Sequence, residues 1–77
     1  MLFLIEYDRQ RGEIVTFKRF GEGESGLAVK ARLELELDLN SRGIEREVVL
    51  LEAENEEAVR RTHRRYFEDL AQLVNVS

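Results

Sequence analysis

The chain has 77 residues, 12 of them lysine or arginine and 16 aspartate or glutamate, for a formal net charge of −4, and it contains neither cysteine nor proline. That length fits one domain over residues 1–77; the absence of cysteine excludes disulfide staples and a thiolate metal cage, and the negative sum excludes a surface that attracts nucleic acid or anionic lipid over its whole extent. Charged residues at 36% beside hydrophobic ones at 43% indicate a folded domain and not a disordered tail.

Residues 2–7 (LFLIEY) read as a strand. Phe3, Ile5 and Tyr7 point one way and Leu2 and Leu4 the other, the pattern of a central strand covered on both faces. The apolar run at residues 1–5 is far short of the roughly 20 residues a membrane span needs and lacks a basic leader. The expectation is therefore a cytoplasmic protein with no membrane partner. Residues 8–12 (DRQRG) form a turn that Gly12 closes with a positive φ. Residues 13–20 (EIVTFKRF) are the second strand, and Lys18 and Arg19 suit an unpaired edge.

Residues 21–26 (GEGESG) are a flexible boundary, and the stretch after them carries two competing signals. Over residues 27–40, Val29, Ala31, Leu33, Leu35, Leu37 and Leu39 alternate with polar residues, which is a strand period. Leu, Glu, Ala, Lys and Arg are nevertheless strong helix formers. A 12-residue strand there would run about 40 Å, too long for its neighbours, so helix is the reading adopted. Wound as a helix, Leu27, Ala28, Ala31, Leu35 and Leu39 form one stripe, and Val29, Leu33 and Leu37 form a second on the far side.

Gly43 is placed for a left-handed cap, and residues 44–53 (IEREVVLLEA) read as the third strand. Asn55 then caps a helix over residues 55–74, with Glu56 and Glu57 at its positive end. The expected fold is α+β, topology ββαβα, with a three-stranded antiparallel sheet of order 2-1-3 and two helices. A four-stranded meander followed by one helix, ββββα, is the alternative. The second helix is expected beside the first, leaving the opposite face of the sheet uncovered. A partner copy in a twofold homodimer is the simplest cover, with Leu2, Leu4, Val29, Leu33 and Leu37 as its contacts.

Three constellations invite a chemical reading. Gly21, Gly23 and Gly26 spell G-x-G-x-x-G between a strand and a helix, and the run through residues 50–52 resembles the opening βαβ unit of flavin- and NAD-binding Rossmann proteins. The resemblance implies glycines that admit a pyrophosphate and Glu52 or Glu54 on a ribose. Glu22 and Glu24, however, bring two carboxylates into that loop, and the interval from Gly21 to Glu52 is longer than the roughly 20 residues of the fingerprint. The reading adopted is a connector with no cofactor.

Arg60, Arg61, Arg64 and Arg65 share one side of the last helix and suggest a grip on nucleic-acid phosphates. Glu57 and Glu68 lie one turn away as intrahelical partners, so a solvated face is the competing reading. His63, the only histidine, falls on the apolar side with Thr62 and Tyr66, where the three could line a small pocket. No nucleophile or carboxylate adjoins it, so a structural histidine is the preferred reading. No catalytic residue and no metal ligand set is identified. The functional expectation is a non-enzymatic binding or assembly module that pairs with itself, with nucleic-acid binding through the arginine face as the alternative.

Overall fold

The computed structural model describes residues 1–67. Strand β1 (Leu2–Asp8), strand β2 (Glu13–Phe20), helix α1 (Ser25–Ser41), strand β3 (Glu47–Glu52) and helix α2 (Glu56–Thr62) follow in order, and a 3-10 turn (Arg64–Tyr66) ends the described chain. The sheet order is β2-β1-β3, with both pairings antiparallel. This is the expected α+β fold with topology ββαβα, and residues 27–40 lie within a helix.

Local chemistry explains the boundaries. At the β1–β2 hairpin, Gly12 takes φ +66° and donates to the Asp8 carbonyl at 2.8 Å. The Asp8 carboxylate accepts from the Gln10 and Arg11 amides at 3.0 and 3.1 Å. Aspartate thus supplies the turn's acceptors while glycine supplies its left-handed residue. Helix α1 ends in a Schellman arrangement: Gly43 has φ +67°, its amide reaches the Asn40 carbonyl, and the Ile44 amide reaches Leu39. At α2, the Asn55 side chain accepts from the Ala58 amide at 2.8 Å, with Glu56 and Glu57 in the first turn.

β1 is buried along nearly its whole length. On one face Leu4 packs with Phe20 and Ala28, joined by Leu2, Ala31, Leu35, Val48 and Leu50, so α1 covers that side. On the other face Ile5 and Tyr7 pack with Tyr66, joined by Ile14, Phe17, Val49, Leu51 and Phe67. Phe3 stacks on Phe17 at 5.6 Å between ring centroids, while Tyr66 and Phe67 meet Tyr7 and Phe17 edge-on at 5.2 and 5.7 Å. The segment after α2 therefore covers the face opposite α1.

Two expectations are corrected by this arrangement. The last helix does not lie beside α1, and the second sheet face is not left bare for a partner. The corrected placement follows from a break in the helix. α2 stops at Thr62, His63 adopts φ −124° and ψ 50°, and a 3-10 turn replaces the α-helix. That change of direction swings Tyr66 and Phe67 onto the sheet. The remainder of the expected helix, residues 68–74, lies outside the described residues.

A register shift between Glu6 and Tyr7 leaves Val15 as the extra residue of β2, and Val15 is correspondingly exposed. β2 is an outer strand, as Lys18 and Arg19 suggested, and both are exposed. β3 is shorter than the expected residues 44–53.

Candidate functional site

Helix α1 has two apolar sides, and folding uses one. At 100° per residue, Ala28, Ala31, Leu35 and Leu39 fall within an arc of about 80°, and Val29, Leu33 and Leu37 within another directly opposite. Ala28 and Leu39 are buried against the sheet, and Ala31 and Leu35 are half-buried. Val29, Leu33 and Leu37 remain 58%, 57% and 59% exposed, and Leu27, expected on the inner stripe, is also outside. Paired charges flank the outer stripe, with Lys30 and Glu34 at 4.0 Å on one side and Arg32 and Glu36 at 2.7 Å on the other. Of the five expected dimer contacts, Leu4 is 2% exposed beneath α1, and Leu2 packs beside it. Val29, Leu33 and Leu37 are the ones that face outward.

The four arginines do not form one cationic row. Arg60 and Arg61 lie on α2 and pair with Glu56 and Glu57 one turn earlier, at 3.8 and 3.0 Å. The Arg60 guanidinium also sits over the Phe67 ring at 4.6 Å. Arg64 and Arg65 lie in the 3-10 turn, beyond the break. Arg65 bonds the Glu47 carboxylate and the Tyr66 hydroxyl, both at 2.6 Å, and lies over the Tyr66 ring. The spacing that aligned the four residues assumed a continuous helix.

The His63 and Tyr66 rings lie close together, with centroids 6.4 Å apart, while the Thr62 hydroxyl is engaged elsewhere. His63 is the half-buried cap of α2, its amide bonded to the Val59 carbonyl at 2.9 Å. The exposed Thr62 hydroxyl donates to the Ala58 carbonyl at 2.9 Å. The Tyr66 hydroxyl is turned away toward Glu47.

Two polar clusters were not anticipated from the sequence. Glu47, at the start of β3, gathers the Tyr66 hydroxyl, Arg65 and Arg9, the last at 2.8 Å. The Tyr66 hydroxyl bond, assisted by Arg9 and by the charge of Arg65, holds the Glu47 carboxyl below its ordinary range against the opposing effect of burial. Burial first, and then the neighbouring carboxylate, push the Tyr66 phenol above its ordinary value, with Arg65 opposing. The second cluster is Glu6, buried at 4% exposure within β1. It accepts from the Thr16 hydroxyl at 2.8 Å and pairs with Arg46, which also lies 3.7 Å from Asp8. An acid inside an apolar strand is a sequence signal for such a partner, but Arg46 lies too far along the chain to be named from periodicity.

The glycine-rich connector does meet the end of β3. A cavity of about 700 Å³ is lined by Gly21, Gly23, Ser25, Glu52 and Glu54, together with Met1, Leu2, Glu22 and Ala53. Its lining is acidic, and the Gly21 amide is bonded to the Glu24 carboxylate at 2.7 Å, so loop and lining both oppose a pyrophosphate. β2 and β3 run parallel and α1 joins them, but β1 lies between the two, whereas the Rossmann unit sets its two strands side by side. Among the described residues no group of three acidic, histidine or cysteine side chains is placed to hold a metal, and no helix is long and apolar enough to cross a membrane. Comparison of the chain with protein-family models, curated proteins and solved structures found no match.

Proposed function

We propose that this chain is a small non-enzymatic assembly module that pairs with a second copy of itself through the outer face of α1. The observation that carries the reading is the line Val29, Leu33, Leu37: three branched apolar side chains, each more than half exposed, directly opposite the face the sheet already occupies. Their burial contributes nothing within one chain. A second apolar helix face would remove them from water at roughly 25 cal/mol for each Å² covered.

The β3 edge of the sheet is a poorer route to pairing. An antiparallel β3–β3′ ladder centred on the strand sets Glu47 opposite Glu52, and like charges directly opposed are destabilising. The polar clusters also favour assembly over chemistry, because Glu47, Tyr66, Glu6 and Arg46 satisfy one another within the fold. A cytoplasmic setting belongs to the same proposal and accords with the absence of cysteine.

Sedimentation equilibrium tests it. The expected mass is twice the 9.0 kDa of one chain. Leu33→Lys is expected to return the mass to one chain with unchanged circular dichroism and a melting temperature lowered by the loss of the dimer's stabilisation. A single-chain mass for the unaltered protein at millimolar concentration would overturn the proposal.

A further inference from the structure

We infer that the two α1 helices pair antiparallel, about a twofold axis passing beside Leu33; this rests on the self-association proposed above and adds its geometry. The charge pattern on the flanks distinguishes the two possible arrangements. Lys30 and Glu34 lie on one side of the Val29–Leu33–Leu37 line, and Arg32 and Glu36 lie on the other. At 1.5 Å of rise per residue, Lys30 and Arg32 lie before Leu33 along the helix, and Glu34 and Glu36 lie after it.

In an antiparallel pair each flank meets the same flank of the other copy with its order reversed. Lys30 then comes within about 3 Å of axial height of Glu34′, and Arg32 within about 3 Å of Glu36′, each twice by symmetry. The like-charge neighbours at that height difference are Glu34–Glu34′ and Arg32–Arg32′, so opposite-sign neighbours outnumber like-sign ones. In a parallel pair each flank meets the other flank in the same order. Lys30 then comes within about 3 Å of the height of Arg32′, and Glu34 within about 3 Å of Glu36′, against the opposite-sign neighbours Glu34 and Arg32′, so like-sign neighbours predominate. The apolar line obeys the same symmetry, since Val29 and Leu37 lie four residues either side of Leu33. Antiparallel pairing brings Val29 opposite Leu37′ and Leu33 opposite itself. One face therefore supplies both halves of an isologous contact.

The natural sequence has no cysteine, so single-cysteine variants report the arrangement directly. Leu33→Cys is expected to form a disulfide-linked dimer under mild oxidation. Val29→Cys and Leu37→Cys are expected to stay unlinked alone and to link to each other when mixed, because in the antiparallel pair Val29 and Val29′ lie about 12 Å apart along the axis, beyond the reach of a disulfide. Efficient linkage of Val29→Cys to itself would overturn the antiparallel inference while leaving self-association standing. A dimer in which Leu33→Cys never links would overturn the use of this face. A single-chain mass for the unaltered protein would remove the proposal and the inference together. As an independent readout, Lys30→Glu is expected to weaken the dimer roughly two- to tenfold. Adding Glu34→Lys is expected to restore it to its original strength; a doubly altered chain that pairs more tightly than the original indicates parallel packing and overturns the inference.

Discussion

Tyr66 donates its hydroxyl to Glu47, and this contact fastens the 3-10 turn to the start of β3. The aromatic ring meanwhile packs edge-on against Tyr7, so one side chain closes both a polar and an apolar contact on the same sheet face. Tyr66→Phe keeps the packing and removes the bond to a charged acceptor. A loss of about 2 kcal/mol in urea unfolding is expected, with the sheet signal of the folded state preserved. An unchanged midpoint would show that the hydroxyl contributes nothing.

The same pair sets limits on stability at both ends of the pH range. Glu47 has a folded pKa below its ordinary 4.5, so its contribution is complete above that value and is lost as pH falls through the folded pKa. Tyr66 has a folded pKa above its ordinary 10.0, so its contribution is complete below that value and is lost as pH rises through the folded pKa. Melting temperature recorded against pH is expected to be flat between the two and to fall on either side. Tyr66→Phe is expected to weaken the alkaline fall; an identical alkaline limb in the variant contradicts the assignment.

The buried Glu6 pairs with the half-buried Arg46, with Thr16 completing the carboxylate's bonds. Arg46→Met strands a buried charge, and a destabilisation of about 3 kcal/mol is expected. Combining it with Glu6→Gln removes the charge and is expected to recover a large part of that loss. Chemical denaturation of the two single variants and the double variant closes the cycle. Additive losses would show that the two side chains act independently.

Two glycines of α1 and its cap carry opposite expectations. Gly43 has φ +67° with open space where a Cβ would stand, so Gly43→Ala costs backbone strain alone, about 1 kcal/mol. Gly26 lies in the first turn of α1, also in open space and without a positive φ. Gly26→Ala is expected to stabilise by about 0.5–1 kcal/mol. Thermal melts should move in opposite directions, and a matching shift in both would refute the distinction.

The arginines furnish a negative expectation. With Arg60, Arg61 and Arg65 engaged by Glu56, Glu57 and Glu47, RNA or DNA is not expected to be retarded by this chain at physiological salt. A gel shift whose strength falls steeply with salt, and which is abolished when Arg60, Arg61, Arg64 and Arg65 become glutamine, would establish the opposite.

Sequence patterns identified β1 as the middle strand because both of its sides are apolar, and strand length decided α1 against a twelve-residue strand. The two outer leucines and Val29 were likewise visible, because a helix with two opposed apolar stripes has more greasy surface than one sheet can cover. What covers the second face of the sheet was not visible. The stretch from Asn55 onward holds a helical period straight through His63, with neither glycine nor proline to mark a break. The interruption is tertiary in origin: Tyr66 finds Glu47 and Phe67 finds Phe17 only after the chain changes direction. The arginine row and the pocket of Thr62, His63 and Tyr66 both assumed the unbroken period; the break sets Arg60 and Arg61 on one element and Arg64 and Arg65 on the next, while the His63 and Tyr66 rings stay 6.4 Å apart.

Because the lid over Ile5, Tyr7 and Phe17 comes from residues 66 and 67, the ribosome makes all three strands before it makes that lid. A nascent chain that has extruded β3 has one lined side of its sheet still wet. Shielding by a chaperone, or rapid arrival of Tyr66 and Phe67, then decides whether the young sheet stays soluble. A nonsense codon just upstream of Tyr66 should therefore yield a product that aggregates rather than a smaller folded protein, even though every strand is present.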